Sequence, residues 1–130
     1  MTALSIIVVN WNSEKFLRAC LSSVYTLTTR FEYEVIVIDS GSFDGAGDLV
    51  SPEFPRARFI QSEENLGFAR ANNAAYRSAV GKYVLFLNPD TELVNQAIEL
   101  MLDVLHSHAD AGAVGCKLLN DDDSVQTSCI

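Results

Sequence analysis

Four consecutive β-branched residues occur twice in this chain, as Ile6-Ile7-Val8-Val9 and Val35-Ile36-Val37-Ile38, and each run stops at a polar side chain, Asn10 or Asp39. A strand with one wet face alternates apolar and polar residues. An unbroken run suits a strand covered on both faces, as in a parallel sheet. Parallel neighbours need a long crossover, usually a helix. Here Phe16, Leu17, Cys20, Leu21, Val24 and Tyr25 recur at helical spacing between the two runs. Residues 58–61 predict a weak third strand, 83–87 a fourth and 113–119 a fifth, with 125–130 beginning another. A short helical turn is expected before Pro52. Longer helices are expected over 68–80, closed by Gly81, and over 94–106. The order β-α-β-(α)-β-α-β-α-β predicts an α/β layered domain, a mostly parallel sheet flanked by helices.

The 130 residues are one domain's worth, and 48% hydrophobic with 20% charged residues is globular rather than disordered composition. Nine basic residues against seventeen acidic ones give a net charge of −8. That excludes a protein gripping nucleic acid through a basic surface. A small anion can still be held by backbone N–H groups, one Arg or a bridging metal. Cys20, Cys116 and Cys129 show no CxxC spacing, so reduced thiols in a cytosolic protein are expected, not disulfides or a zinc site. The first apolar run is too short to span a bilayer, and neither a basic segment nor a cleavage site flanks it, so it reads as neither signal peptide nor anchor. The chain stops as a strand pattern starts, and residues 1–130 are therefore expected to be the N-terminal part of a larger single domain.

In open parallel sheets, ligands bind beyond the carboxyl ends of the strands. The polar residues there are Asn10, Trp11 and Asn12; Asp39, Ser40, Gly41, Ser42 and Asp44; and Asn88 and Asp90. Asp39 suits either a turn-former or a carboxylate accepting a hydrogen bond from a ribose or a base. Trp11 is either a core aromatic or a platform on which a base stacks. Asp90 either caps the next helix or coordinates Mg²⁺ or Mn²⁺ on a diphosphate, with Asn88 adding a carbonyl oxygen. Glu63-Glu64 and Asp121-Asp122-Asp123 read as solvated turns. His106 and His108 fall near a helix C-terminus, where surface placement is the default. No Ser/His/Asp or Cys/His grouping stands out, and neither a GxGxxG nor a GxxxxGK[ST] loop is present.

Taken together these segments resemble the family 2 glycosyltransferases. Ser5-Ile6-Ile7-Val8-Val9-Asn10-Trp11-Asn12 is similar to the family's opening strand. Val35-Ile36-Val37-Ile38-Asp39-Ser40-Gly41-Ser42-Phe43-Asp44-Gly45 is similar to its V-D-[ND]-x-S-x-D-G segment. Asn65-Leu66-Gly67-Phe68-Ala69-Arg70-Ala71-Asn72-Asn73 resembles N-x-G-x-a-x-a-x-N. Residues 81–91 resemble G-[DK]-Y-x-x-F-L-[DN]-x-D. The resemblance implies a Rossmann-like GT-A fold and a site that binds a nucleoside-diphosphate sugar, UDP- or dTDP-linked. In it Asp39 would meet the base with Trp11 stacked nearby and Asn10 beside them. Gly67, Arg70, Asn72 and Asn73 would shape the nucleoside and diphosphate pocket. Asp90 would match the last Asp of the family's DxD motif and hold Mg²⁺ or Mn²⁺. Asn88 replaces the first Asp, as in the subgroup that includes rhamnosyltransferases of surface polysaccharide assembly.

The resemblance further implies transfer with inversion to a saccharide or lipid-linked saccharide acceptor. It implies a cytoplasmic protein, at the inner face of the membrane when intact. The family's acceptor half and general base lie beyond the metal motif, so no residue here is assigned as base and the chain alone is expected to be inactive. A truncated sheet edge would favour a homo-oligomer. The alternatives are a nucleotide-binding module without transferase activity and, at greater remove, a nucleotidyltransferase.

Overall fold

A computed structural model describes residues 1–127. Within them are four strands and four helices: β1 (Leu4–Asn10), α1 (Glu14–Leu27), β2 (Tyr33–Ser40), α2 (Ala46–Glu53), β3 (Ala57–Ser62), α3 (Gly67–Tyr76), β4 (Tyr83–Leu87) and α4 (Ala97–Ser107). The four strands form one sheet in the order β3-β2-β1-β4, and every pairing is parallel. The chain divides into two compact units, Met1–Val94 and the segment from Asn95 onward. The first holds the whole sheet.

The continuous apolar runs sit where parallel geometry demands. Ile6, Ile7 and Val8 of β1 and Val35, Ile36, Val37 and Ile38 of β2 are all buried, because these are the two central strands and are covered on both faces. Side chains alternate between faces along a strand. Ile7, Ile36 and Ile38 meet Ala71 and Ala75 of α3, with Val9, Ile60, Leu66 and Val84 packed around them. Alanines on that helix face let its axis come close to the sheet. On α1, Leu17, Cys20, Leu21 and Val24 are buried, four of the six residues at the predicted helical spacing; Tyr25 is half-buried and Phe16 exposed. Each such Leu, Ile or Val side chain contributes about 1.5–3 kcal/mol on burial.

Three expectations shift. Helix α3 ends at Tyr76, not near Val80. Its last turns tighten into three-residue spacing, Ser78 N–H to Ala75 O and Ala79 N–H to Tyr76 O, both 3.0 Å. Gly81 therefore closes no helix. Its role is a close approach: a Cβ there would collide with the backbone of Leu4 and Ser5. The turn before Pro52 is a full α2, with Pro52 inside it. A proline at that position cannot donate to the Asp48 carbonyl, and the helix stops one residue later.

The second unit holds α4, with Ile98, Glu99 and Leu102 buried. Residues 113–119 do not form the expected fifth strand. They contribute only an isolated antiparallel bridge, Leu119 to Val125, across a turn closed by Asn120 N–H to Ser124 O at 2.8 Å. An apolar run becomes a strand only with a partner along its length, and Gly112 and Gly115 weaken this one further. Of the strand expected at 125–130, the last three residues lie outside the described ones, as does Cys129. Among the described residues no helix is long and apolar enough to cross a membrane.

Candidate active site

The register of the parallel sheet lines up three polar residues at the strand ends. Asn10 of β1 is opposite Asp39 of β2, and Asp39 is opposite Gln61 of β3. The row is hydrogen-bonded along its length: Asn10 Nδ2 donates to Asp39 Oδ1 at 2.9 Å, and Gln61 Nε2 to Asp39 Oδ2 at 2.7 Å. The Ser42 and Phe43 backbone N–H groups, each at 3.0 Å, and the Ser42 hydroxyl also donate to Asp39. Asp39 is only 1% exposed. Burial alone would push its carboxyl up, but donors from Ser42, Gln61, Phe43 and Asn10 outweigh burial and hold it below the usual carboxylate range. This is the turn-forming role that the sequence left open for Asp39.

Asp44 finishes the same loop. It accepts from Asn10 Nδ2 at 3.0 and 3.1 Å, from the Glu14 N–H at 3.0 Å and from the Ala46 N–H at 3.2 Å. One carboxylate thus satisfies first-turn donors of both α1 and α2, groups that helix geometry leaves without intrahelical partners. Negative charge is also favourable at helix N-termini. Buried Asn10 bridges the two carboxylates, and its own Oδ1 has no partner.

A second latch ties β2 to α3. The Leu66 N–H donates to Ser40 Oγ at 2.8 Å, Ser40 Oγ donates to Asn65 Oδ1 at 3.3 Å, and the Gly67 N–H donates to Asn65 Oδ1 at 2.9 Å. Gly41 makes the approach possible. Its φ is +75°, and a Cβ there would stand 2.5 Å from the Glu64 carbonyl carbon.

Above these latches opens a cleft of about 380 Å³ lined by Val9, Trp11, Ser13, Ser40, Asn65, Gly67, Phe68, Asn88, Pro89 and Asp90. Trp11 is 53% exposed and Phe68 64%, so Trp11 is not a core aromatic. Asp90 does not cap the following helix either, since α4 begins at Ala97 after Gln96. The Asn88–Asp90 loop rests on α1. The Asn88 carbonyl accepts from Cys20 Sγ at 3.8 Å and from Thr91 Oγ1 at 2.7 Å, and Ser23 Oγ accepts from the Leu93 N–H at 3.0 Å. Burial pushes the Cys20 thiol up to about 11, which makes it a packing group rather than a nucleophile.

The expected site residues therefore separate into three places. Trp11, Gly67, Asn88 and Asp90 line the cleft. Asn10 and Asp39 lie beneath it, and buried Asn72 donates from Nδ2 to the Phe68 carbonyl at 3.1 Å. Arg70 and Asn73 line a separate cleft of about 250 Å³ with Leu66, Ala74 and Arg77. Ser40 is one of the strand-end residues that the sequence points to, whereas Asn65, Phe68 and Gln61 have no site role in the sequence reading. The strand register would have found Gln61, but a register is not readable from one strand alone.

Among the described residues no group of three His, Cys, Asp or Glu converges to hold an ion. Asp90 is the acidic residue of the cleft lining, with the Asn88 and Asn65 amide oxygens as further hard donors. That set does not make an all-protein cage. It fits a divalent ion such as Mg²⁺, which takes one or two carboxylates and draws its other ligands from phosphates and water.

A family model described as glycosyl transferase family 2 matches residues 5–128. The chain belongs to glycosyltransferase family 2. Among its relatives, the teichoic acid poly(glycerol phosphate) polymerase of Staphylococcus epidermidis is 33% identical over 107 residues, covering 79% of this chain and 15% of that protein. The chondroitin synthase of Escherichia coli is 34% identical over 102 residues, covering 76% and 15%. Across eight such relatives the chain spans 15% to 41% of their length. The crystal structure of S. aureus TarS 1–349 in complex with UDP superposes with a TM-score of 0.74 at 27% identity, covering 83% of this chain and 33% of that one. The same protein in complex with UDP-GlcNAc gives 0.73 at 28% identity, covering 83% and 32%. The α/β sheet is thus that of the GT-A glycosyltransferases.

Proposed function

We propose that the chain forms the donor-binding part of an inverting glycosyltransferase that moves a sugar from a nucleoside diphosphate to an acceptor hydroxyl in surface polysaccharide assembly. The observation that carries this is the cleft. It lies at the carboxyl ends of parallel strands, where open α/β sheets bind ligands, and it combines two exposed aromatics with Ser40, Asn65, Asn88 and Asp90. Trp11 would stack on the base, with Phe68 as a second apolar wall. Ser40 and Asn65 would offer hydroxyl and amide groups to the nucleoside. Asp39 and Asn10 position that wall, because the Asp39 oxygens already hold five donors. Direct contact of Asp39 with the base would require one of those donors to move. Asp90, with Asn88, would hold a divalent ion on the diphosphate. When bound, that ion neutralises charge growing on the departing nucleoside diphosphate. The Asn-Pro-Asp version of the motif supports placement near the rhamnosyltransferase-like subgroup, and two free thiols, Cys20 and Cys116, support a reducing, cytoplasmic setting.

One observation also favours a module that binds nucleotide without transfer. Asp90 is the carboxylate lining the cleft, and with Asp90 on the ion the described lining offers no second acid as base. Calorimetric titration with UDP and dTDP, with and without Mn²⁺, tests the shared part of both readings. Metal-dependent binding that is lost in Asp90→Ala supports them, and binding unchanged in Trp11→Ala and Asp90→Ala alike rejects them. Sugar transfer by a longer chain carrying this unit separates the two.

A further inference from the structure

We propose that Asn65 selects the base of the donor: its side-chain N–H groups meet the carbonyl oxygen at C4 of a pyrimidine, so the main cleft takes uracil or thymine in preference to cytosine. This deepens the donor-binding reading and rests on it. The two ends of the Asn65 amide are not equivalent. Oδ1 accepts from the Gly67 N–H at 2.9 Å and from Ser40 Oγ at 3.3 Å. A backbone N–H only donates, so the oxygen of the amide, not the nitrogen, faces Gly67. Ser40 Oγ accepts from the Leu66 N–H at 2.8 Å, and its own hydrogen is the one given to Asn65. Both acceptor positions of Oδ1 are thereby used by the protein, and an ion in the cleft would draw on the Asn88 oxygen instead. What Asn65 keeps for the cleft it lines is Nδ2, whose two hydrogens have no partner among the described residues.

The sheet order decides which part of a nucleotide those hydrogens meet. Ser40, to which Asn65 is latched, ends β2, Asn88 follows β4, and β1 lies between these strands. Strands two places apart are separated by about 10 Å. Trp11, one residue past the end of β1, stands between the two sides. Asp90 is on the β4 side, so the ion and diphosphate belong there. A base stacked on Trp11 then extends toward the β2 side, where Asn65 waits and Phe68 adds a second aromatic wall. The C4 group of a pyrimidine is on the edge away from the sugar and diphosphate, as Asn65 is on the side of the cleft away from Asp90. Uracil and thymine carry an oxygen at C4, which accepts from Nδ2. Cytosine carries an amino group there. It would set donor against donor and leave both without an acceptor, the kind of mismatch by which a hydrogen-bonding site rejects the wrong ligand.

The test is calorimetry on the 130-residue chain with UDP and with CDP, each in the presence of Mn²⁺. The two ligands share ribose and diphosphate and differ in the base. UDP should bind about tenfold or more tightly than CDP. Asn65→Asp keeps an oxygen for the Gly67 N–H and the Ser40 hydroxyl but turns the free end from donor to acceptor. Its added charge weakens both nucleotides, so the ratio of the two affinities is the readout, and it should reverse in favour of CDP. Asn65→Ala deletes the free end and should bring the ratio close to one; urea unfolding of both variants checks that they fold. A residue that only shapes the turn before α3 would lower both affinities alike and leave the ratio unmoved. That result overturns the proposal, and so does equal binding of UDP and CDP by the unaltered chain, while the donor-binding reading survives either. If the unaltered chain binds neither nucleotide, the donor-binding reading fails and takes this assignment with it.

Discussion

On the β2 side of the main cleft the carboxylates are engaged by the protein itself. Asp39 and Asp44 accept hydrogen bonds from Asn10, Ser42, Phe43, Gln61, Glu14 and Ala46. On the β4 side, Asp90 stands exposed at the cleft, the one carboxylate among the described lining residues, whose other side-chain oxygens are the Asn88 and Asn65 amides and the Ser13 and Ser40 hydroxyls. Yet both are acidic strand-end residues in the same sheet. The difference is burial. A carboxylate taken out of water must find donors or neutralise, so Asp39 becomes the hub of a loop. A carboxylate left in water keeps its lone pairs for a ligand. On the proposed reading one wall is scaffold and the other would carry the chemistry, and substitutions on the two walls should then fail in different ways.

The largest effect falls on the scaffold wall. Asp39→Ala leaves the Asn10, Gln61, Ser42 and Phe43 donors without their acceptor. Each buried unsatisfied group costs about 1–3 kcal/mol, and a total loss of about 3 kcal/mol or more should appear in urea unfolding. If Asp39→Ala unfolds at the same urea concentration as the parent, the hub is not structural. The same carboxylate sets a pH dependence. Its folded pKa is depressed, so the unfolded state binds more protons between the two pKa values, and stability rises with pH there. The contribution is present above the unfolded value, about 3.9, and is lost as pH falls through the folded one. Asp39→Asn should flatten the acid limb of the stability curve between about pH 5 and the unfolding midpoint.

The chemistry wall should respond in binding, with the fold intact. Trp11→Ala removes a stacking platform of about 1–3 kcal/mol, and UDP affinity should fall by roughly tenfold with no change in the urea midpoint. Asn88→Asp is the opposite change and sharpens the contrast. A second carboxylate beside Asp90 should raise the affinity for Mn²⁺ in the presence of UDP about tenfold and make Mn²⁺ binding detectable without nucleotide. Mn²⁺ paramagnetic resonance reads both. No gain in either would mean that the Asn88 and Asp90 side chains do not converge on one ion.

Much of the first wall was legible because it is local. Val35 to Ile38 ending at Asp39, followed by Gly, Ser and Asp, announces a buried strand and a turn. What stayed hidden depends on register and on partners. Gln61 joins Asp39 only because β3 pairs with β2 at that offset. Arg70 and Asn73 belong to a motif that the sequence assigns to the donor pocket, yet helix geometry turns them toward a different cleft from Gly67. Residues 113–119 have strand composition but pair along none of their length beyond one bridge. Trp11, Gly67, Asn88 and Asp90, the expected residues that line the cleft, are those whose backbone position alone takes them there.

The smallest effect tests how the exposed wall is held at all. Ser23 on α1 accepts the Leu93 N–H at 3.0 Å while its own hydroxyl donates to the Cys20 carbonyl at 2.8 Å, so it joins the segment after Asp90 to the first helix. Ser23→Ala removes that acceptor and should lower stability by about 1 kcal/mol. The scaffold wall does not share these bonds, so Asp39 and its donors should be untouched. The loop carrying Asp90 loses one of its anchors, and amide hydrogen exchange should quicken at Leu93 and its neighbours while the β1 and β2 amides stay protected. Faster exchange spread evenly over both walls would show that they form one cooperative unit, and that the contrast between a braced wall and a free one is only a difference in exposure.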